Sequence, residues 1–248
     1  MSPVVTAIVC HHLDENRPYL DLCLRALSES EGVDFEAIVI SDAETCPEVP
    51  AGMTLVHNRS LDTATKKGHF GIAMSDPSSK YFLFLSDDVV VGKHTIARLV
   101  EGVGDQAIIC NPMSNSDRGG QYLSNIPFSC EESIESFEDP SDAIKTVNFW
   151  GDQFGAGYHL MVSRPYVCFY GTLIPRKVWD AVGSLDEKLE VRYNDFDFCT
   201  RAAKLGIPSM INFGTFALHF GSKTLKKTVT PEQYAAADAA FREKYGGG

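Results

Sequence analysis

From Val4 to Cys110 the chain alternates between two hydrophobic spacings. Val4 to Val9 is a β-branched run that reads as a strand, and Pro18 then opens a stretch with Leu20, Leu24 and Leu27 on one helical face. Phe35 to Ile40 and Met53 to Val56 are further strands. Ala64 to Ser75 has helical character, and Tyr81 to Leu85 is a continuous apolar run of the kind buried in a parallel sheet. Helix returns at His94 to Glu101 and strand at Ala107 to Cys110. Strands alternating with helices predict right-handed βαβ crossovers, hence an α/β fold with a mostly parallel, doubly wound sheet flanked by helices. Ligands are then expected beyond the carboxyl ends of the strands.

The rhythm stops at Asn111. The segment Asn111 to Gly157 is rich in Asn, Ser, Gly and Pro and carries an acidic patch from Glu131 to Asp142, which predicts a long functional loop with room for one short helix. Order resumes with a strand near Tyr166 to Ile174, a short helix from Pro175 to Ala181 and a helix from Asn194 to Leu205. Strands follow at Ser209 to Phe213 and Phe216 to Phe220, and Pro231 starts an Ala-rich helix that ends at Gly246. There is no internal repeat.

Composition narrows the function classes. With 44% apolar and 22% charged residues among 248, disorder and fibrous architectures are excluded. The 22 Lys+Arg against 33 Asp+Glu leave a net charge of −11, a field that repels polyanions and opposes indiscriminate binding to nucleic acid or acidic membrane. A phosphate-bearing ligand must therefore be captured locally, by a few basic groups or a metal ion. No apolar run approaches the roughly 20 residues needed to cross a bilayer, and Met1-Ser2-Pro3 leads directly into a strand without the features of a secretory signal. A cytoplasmic protein without membrane insertion is expected. The 7 cysteines, at positions 10, 23, 46, 110, 130, 168 and 199, are odd in number and lack a CxxC pair, which fits packed, reduced thiols.

Chemistry concentrates at the strand ends. The run Tyr81-Phe-Leu-Phe-Leu leads into Ser86-Asp87-Asp88 before the chain turns apolar again, so two carboxylates stand where a strand leaves the core. Neighbouring side chains of an extended segment point to opposite sides, so one carboxylate can coordinate a hard divalent cation while the other reaches another part of the same ligand. Taken alone, the segment is equally an Asp-rich turn. Downstream stand Gly183-Ser-Leu-Asp186-Glu187, then Tyr193-Asn194-Asp195-Phe196-Asp197 with Arg201-Ala202, then Leu218-His219-Phe220. Strand, Asp-Asp, Gly-x-x-Asp-Glu, Asn-Asp-x-Asp-x-x-x-Arg-Ala and His, in that order, resemble the nucleotide-sugar glycosyltransferases of family 2, which adopt the GT-A fold. The resemblance runs from Val4 to about Ser222, with Asn111 to Gly157 its least matched stretch.

The resemblance implies an inverting, metal-dependent transfer of a sugar from a nucleoside diphosphate sugar, a UDP sugar first, to an acceptor hydroxyl. It implies a glycosyltransferase domain over residues 1–222, divided into a nucleotide-binding half (1–110) and an acceptor-binding, catalytic half (111–222), followed by a tail and helix (223–248). It makes Asp88 a ligand of Mn2+ or Mg2+, His219 the second protein ligand, Asp87 the ribose-side carboxylate, Asp42 a contact of the base and Asp195 the general base. Ser86 stands where many members carry Asp or Asn, and Cys10-His11-His12 replaces residues of Pro-Thr-Tyr type, leaving His11 and His12 as unusual donor-side candidates. Lys67 falls where the family often has an Arg near the base or diphosphate; a solvated helix face explains Lys66 and Lys67 equally.

Bland alternatives stand beside these assignments. Asn194 and Asp195 sit where a helix cap is needed, Asp197 and Arg201 are spaced as an i,i+4 ion pair, and His11-His12-x-Asp14 has the composition of a metal cluster. Trp150 and Tyr122 are the candidates to stack on an acceptor. That acceptor is a glycan, a small molecule or a hydroxylated DNA base approached through Lys223, Lys226 and Lys227. A sugar nucleotidyltransferase and a catalytically silent nucleotide- or sugar-binding module are the competing functions; the first lacks its Gly-rich basic loop between Cys10 and Arg17.

Overall fold

The computed structural model describes residues 4–115, 134–156, 160–189, 192–221 and 229–246. Strand β1 (Val5–His11), helix α1 (Arg17–Ser28), β2 (Phe35–Ser41), β3 (Thr54–His57), α2 (Ala64–Met74) and β4 (Tyr81–Ser86) build one half in βαβ rhythm. Then come β5 (Val89–Val91), α3 (Thr95–Val103), β6 (Ile109–Ser114), α4 (Ser141–Gly155), β7 (Met161–Arg164), β8 (Gly171–Pro175), α5 (Arg176–Val182), α6 (Asn194–Lys204), β9 (Ser209–His219) and α7 (Pro231–Tyr245). All the described strands join one sheet in the order β3-β2-β1-β4-β8-β6-β9-β5, with β7 also on β9. Strands β1 to β4, β6 and β9 point one way, and β5, β7 and β8 run against them. The expected α/β architecture, a mostly parallel sheet flanked by helices, is what the chain forms.

The direction of chain progress reverses at β1. From β1 the chain moves outward through β2 and β3, then returns to place β4 on the other flank of β1. The carboxyl ends of β1 and β4 therefore open a crevice, the position in which open α/β sheets bind ligands. Both faces of this half are covered. Leu20, Cys23, Leu24 and Leu27 of α1 are buried in the main core with Val5, Ala7 and Val9, while Ile8, Ile38 and Ile40 point to the opposite face.

Helix α2 lies very close to that second face because Gly68 and Gly71 carry no side chain. A Cβ at Gly71 would stand 2.6 Å from Ile8 Cγ2, and one at Gly68 would stand 2.8 Å from the Phe84 ring. Gly71→Ala should therefore destabilise the protein by about 1–3 kcal/mol through overpacking, despite the better helix propensity of Ala. Chemical denaturation of the variant measures this directly.

Three expectations from the sequence are corrected by the fold, which also adds two short strands that the sequence pattern does not predict. Within Asn111 to Gly157, residues 134–156 hold the 15-residue helix α4, longer than the short helix allowed for. Its buried stripe is only Ala143, Ile144, Val147 and Gly151, too narrow to stand out among Asp142, Lys145, Asn148 and Asp152. Tyr166 to Ile174 is not one strand: β8 starts at Gly171, and Tyr170 closes a tight turn by donating its N–H to Cys168 O at 3.0 Å. The two strands Ser209 to Phe213 and Phe216 to Phe220 are the single strand β9. A register shift against Pro112/Met113 is stabilised where Asn212 Oδ1 accepts from Gly214 N at 2.8 Å. Strands β5 and β7, three and four residues long, have no period of their own and exist as edge pairings of β9.

Candidate active site

The carboxyl ends of β1, β2, β4 and β9 carry the polar residues that the sequence singles out. His11 ends β1, and its Nδ1 lies 2.7 Å from Asp87 Oδ2 in a buried hydrogen bond. His12, the next residue, donates from Nδ1 to Asp42 Oδ2 at 2.6 Å. The other oxygen of Asp42 is 2.5 Å from Lys67 Nζ. Lys67 is only 2% exposed, so it belongs to the site, whereas Lys66 pairs with Asp62 at the surface. The close seating of α2 on β1 brings this ammonium to the end of β2. Asp14 turns away to accept from Thr45 N, so His11, His12 and Asp14 serve three different partners. Among the described residues no group of three or more His, Cys, Asp or Glu is arranged to hold a metal ion.

Electrostatics separate the two acidic positions. Burial pushes Asp42 upward, but hydrogen bonds from His12 and Lys67 outweigh it and hold the carboxyl below the usual range. Asp87 is raised instead: its burial, with the Asp88 charge beside it, outweighs the His11 hydrogen bond. Cys10, between these groups, is pushed up to about 11, chiefly by burial, which disfavours the thiolate.

Asp88 and His219 approach from opposite strands. Phe220 N donates to Asp88 O at 3.0 Å, β5 pairs Val89 with His219, and Asp88 Oδ1 lies 3.3 Å from His219 Nε2. Two neighbouring ligands of one octahedral ion, each about 2.1 Å from it, stand about 3 Å apart, so the spacing fits a shared divalent cation. The chemistry of the pair, one carboxylate and one imidazole, suits Mn2+ as readily as Mg2+. His219 is held rigidly: Asn115 Oδ1 accepts its N–H at 2.7 Å, Asn115 Nδ2 donates to its C=O at 3.0 Å, and the Tyr170 ring stacks on the imidazole at 4.4 Å.

Asp195 lies in the first turn of α6, one position past Asn194, and the helix cap is Tyr193 with a backbone φ of 72°. Neither Asn194 nor Asp195 occupies the cap itself. Asn194 Nδ2 donates to Thr65 Oγ1 at 3.2 Å, joining α6 to the start of α2, while Asp195 Oδ1 accepts Phe196 N at 2.7 Å. Burial raises the Asp195 carboxyl, opposed by the Phe196 N–H and by Cys168 and the Phe169 N–H. The loop containing Cys168 and Phe169 continues to Tyr170, so one short segment runs from Asp195 to His219. Asp197 and Arg201 form the anticipated i,i+4 pair at 2.8 Å.

Neither a protein-family model nor a curated protein sequence matches the chain. Among solved structures, the crystal structure of GalNAc-T7 with UDP, GalNAc and Mn2+ superimposes on 97% of this chain with a TM-score of 0.66 and 10% identity. The fold is that of a GT-A glycosyltransferase. The match covers 48% of the GalNAc-T7 chain, so this chain spans about half the length of the structure it resembles.

On the GT-A frame, His11, His12, Asp42, Lys67, Asp87, Asp88 and His219 lie at the carboxyl edge of the sheet, and Asp195 at the α6 end of the 165–170 loop. Trp150 sits on α4, stacked on Phe154 at 5.7 Å and meeting Phe149 edge-on, partly buried against the core. Tyr122, Lys223, Lys226 and Lys227 lie outside the described residues. No described helix is long and apolar enough to cross a membrane. Sequence reasoning missed Asn115, Tyr170 and Tyr193. Each acts through a partner distant in the chain, and Tyr193 lacks the glycine that normally marks a left-handed turn.

Proposed function

We propose that the protein is an inverting glycosyltransferase that uses a nucleoside diphosphate sugar, with UDP as the carrier and residues 1–222 as the catalytic domain. The observation that carries this reading is the pairing of Asp88 with His219 on a GT-A sheet, beside a base-side cluster of His12, Asp42 and Lys67. GalNAc-T7, similar in fold, was crystallised with UDP and Mn2+. In an acidic protein, a diphosphate needs local positive charge, and Asp88 and His219 can hold it as a divalent cation.

Each residue has a separable task. Asp42, kept ionised by Lys67 and His12, accepts an N–H from the base, and Asp87, oriented by His11, accepts from a ribose hydroxyl. Asp195 takes the proton of the acceptor hydroxyl while that oxygen bonds to the anomeric carbon. The bond from that carbon to the departing diphosphate breaks on the opposite face, and its electron pair leaves with the phosphate. A divalent cation on Asp88 and His219 would neutralise the charge gathering there.

Calorimetry with UDP tests the reading. Wild type should bind UDP in a Mn2+-dependent manner, and Asp42→Ala should weaken binding about tenfold or more, since a hydrogen bond to a charged group is worth about 1.5–3 kcal/mol. Absence of nucleotide binding overturns the proposal. Metal-dependent UDP binding without hydrolysis or transfer from any UDP sugar would instead make the protein a silent binding module.

A further inference from the structure

Among the described residues, Tyr193 is the only one other than glycine with a positive φ. A left-handed backbone is disfavoured for a residue bearing a Cβ and persists only where its surroundings impose it. Here it immediately precedes Asn194 and Asp195, so it sets the direction in which α6 begins.

What imposes it comes from α7. The Tyr193 ring stacks on Phe241 with centroids 4.3 Å apart, and its hydroxyl donates to Asp238 Oδ1 at 2.9 Å. Arg192 lies over the same ring at 4.7 Å and reaches the same Asp238 oxygen at 3.3 Å. One turn further, fully buried Asp197 accepts from Tyr245 Oη at 2.6 Å and pairs with Lys244 Nζ at 2.6 Å. Between them, Phe196 meets Phe241 and Tyr245 edge-on. Helix α7 thus grips α6 at positions 193, 196 and 197, on both sides of Asp195. The aromatic faces are spent on one another, which makes this cluster a clamp and not a platform for a ligand.

We propose that α7 is a positioning element for the catalytic carboxylate: Phe241 and Asp238 hold Tyr193 left-handed and thereby fix the presentation of Asp195. This rests on the reading of Asp195 as the proton acceptor. Tyr193, Asp238 and Phe241 are positioning residues.

Substitution at position 193 separates a positioning role from plain packing. Tyr193→Ala loses the clamp but keeps the Cβ that opposes positive φ, whereas Tyr193→Gly loses the clamp and removes that opposition. Positioning therefore predicts that Gly outperforms Ala; packing ranks the two alike. The readout is the titration of the Asp195 carboxyl by carbon NMR in the full-length protein, assigned by its loss in Asp195→Asn. Phe241→Ala and Tyr193→Ala should move its midpoint down toward the ordinary carboxylate value, and Tyr193→Gly should restore most of the wild-type behaviour. Donor turnover should follow, falling roughly 10- to 100-fold in the Ala variants, while UDP–Mn2+ affinity stays at the wild-type value.

Ala and Gly variants that titrate as wild type overturn the proposal. So does a fall in UDP–Mn2+ affinity that keeps step with turnover, since that marks general loosening. If wild type transfers no sugar but the titration moves as expected and Gly restores it, the clamp stands and the catalytic role of Asp195 falls.

Discussion

Asp195→Asn should reduce sugar transfer by roughly 100-fold or more, the contribution expected of a general base, with a melting temperature at or above that of wild type. The substitution is nearly isosteric, and Asn Oδ1 can still accept the Phe196 N–H that Asp195 Oδ1 accepts at 2.7 Å. What it cannot do is take a proton. The stability direction follows from linkage. Burial raises the folded-state Asp195 carboxyl above its unfolded value, so the group favours the fold while protonated. That contribution is present below the unfolded value and is lost as pH rises through the folded one. Above its folded-state value the ionised side chain is a burden, and the uncharged amide removes it. The same raised value sets the pH profile: wild-type turnover should fall as pH drops through it, and the residual activity of Asp195→Asn should lack that limb. An Asn variant with near wild-type turnover would show that Asp195 only accepts its helix N–H groups. Steady-state kinetics across pH, combined with thermal melts, decide between the two roles.

The first half of the fold, through β4, is more legible in the sequence than the second, and the reason is periodicity. Strands β1, β2 and β4 are central and buried, so they appear as unbroken apolar runs, and the polar residues at their ends stand out by contrast. Asp42, Asp87 and Asp88 were visible in this way. The partnership of His12 and Lys67 around Asp42 was not, because it depends on how closely α2 sits on β1, which two glycines decide without any motif. In the second half, β5, β7 and the second part of β9 owe their existence to long-range pairing, and α4 buries only one narrow stripe. Local patterns are weakest in such elements. The grip of α7 on α6 depends on pairs such as Tyr193 with Phe241 and Asp197 with Lys244, nearly fifty residues apart, which no local spacing reveals.

Asp88→Ala should remove the metal-dependent part of UDP binding altogether. Loss of partners that merely orient metal ligands typically costs 10- to 100-fold in metal affinity, so loss of a carboxylate ligand should cost about 100-fold or more. His219 alone then remains as a protein donor at that position, and a single neutral imidazole is a poor anchor for a hard, strongly hydrated ion. Folding should survive the change, because Asp88 is 4% exposed and its charge adds to the burial that already raises Asp87. Removing one of two adjacent buried carboxylates relieves that repulsion. His219→Ala provides the second arm: if both residues hold one ion, each single variant should lose the Mn2+ effect on UDP affinity, and the double variant should be no worse than either. Such non-additivity is expected of groups that act as a unit and fails for independent contacts. Calorimetry with UDP, run with and without Mn2+ on all four proteins, gives the cycle. UDP affinity in Asp88→Ala that still rises with Mn2+ as in wild type would show that Asp88 is not a ligand and would move the metal elsewhere.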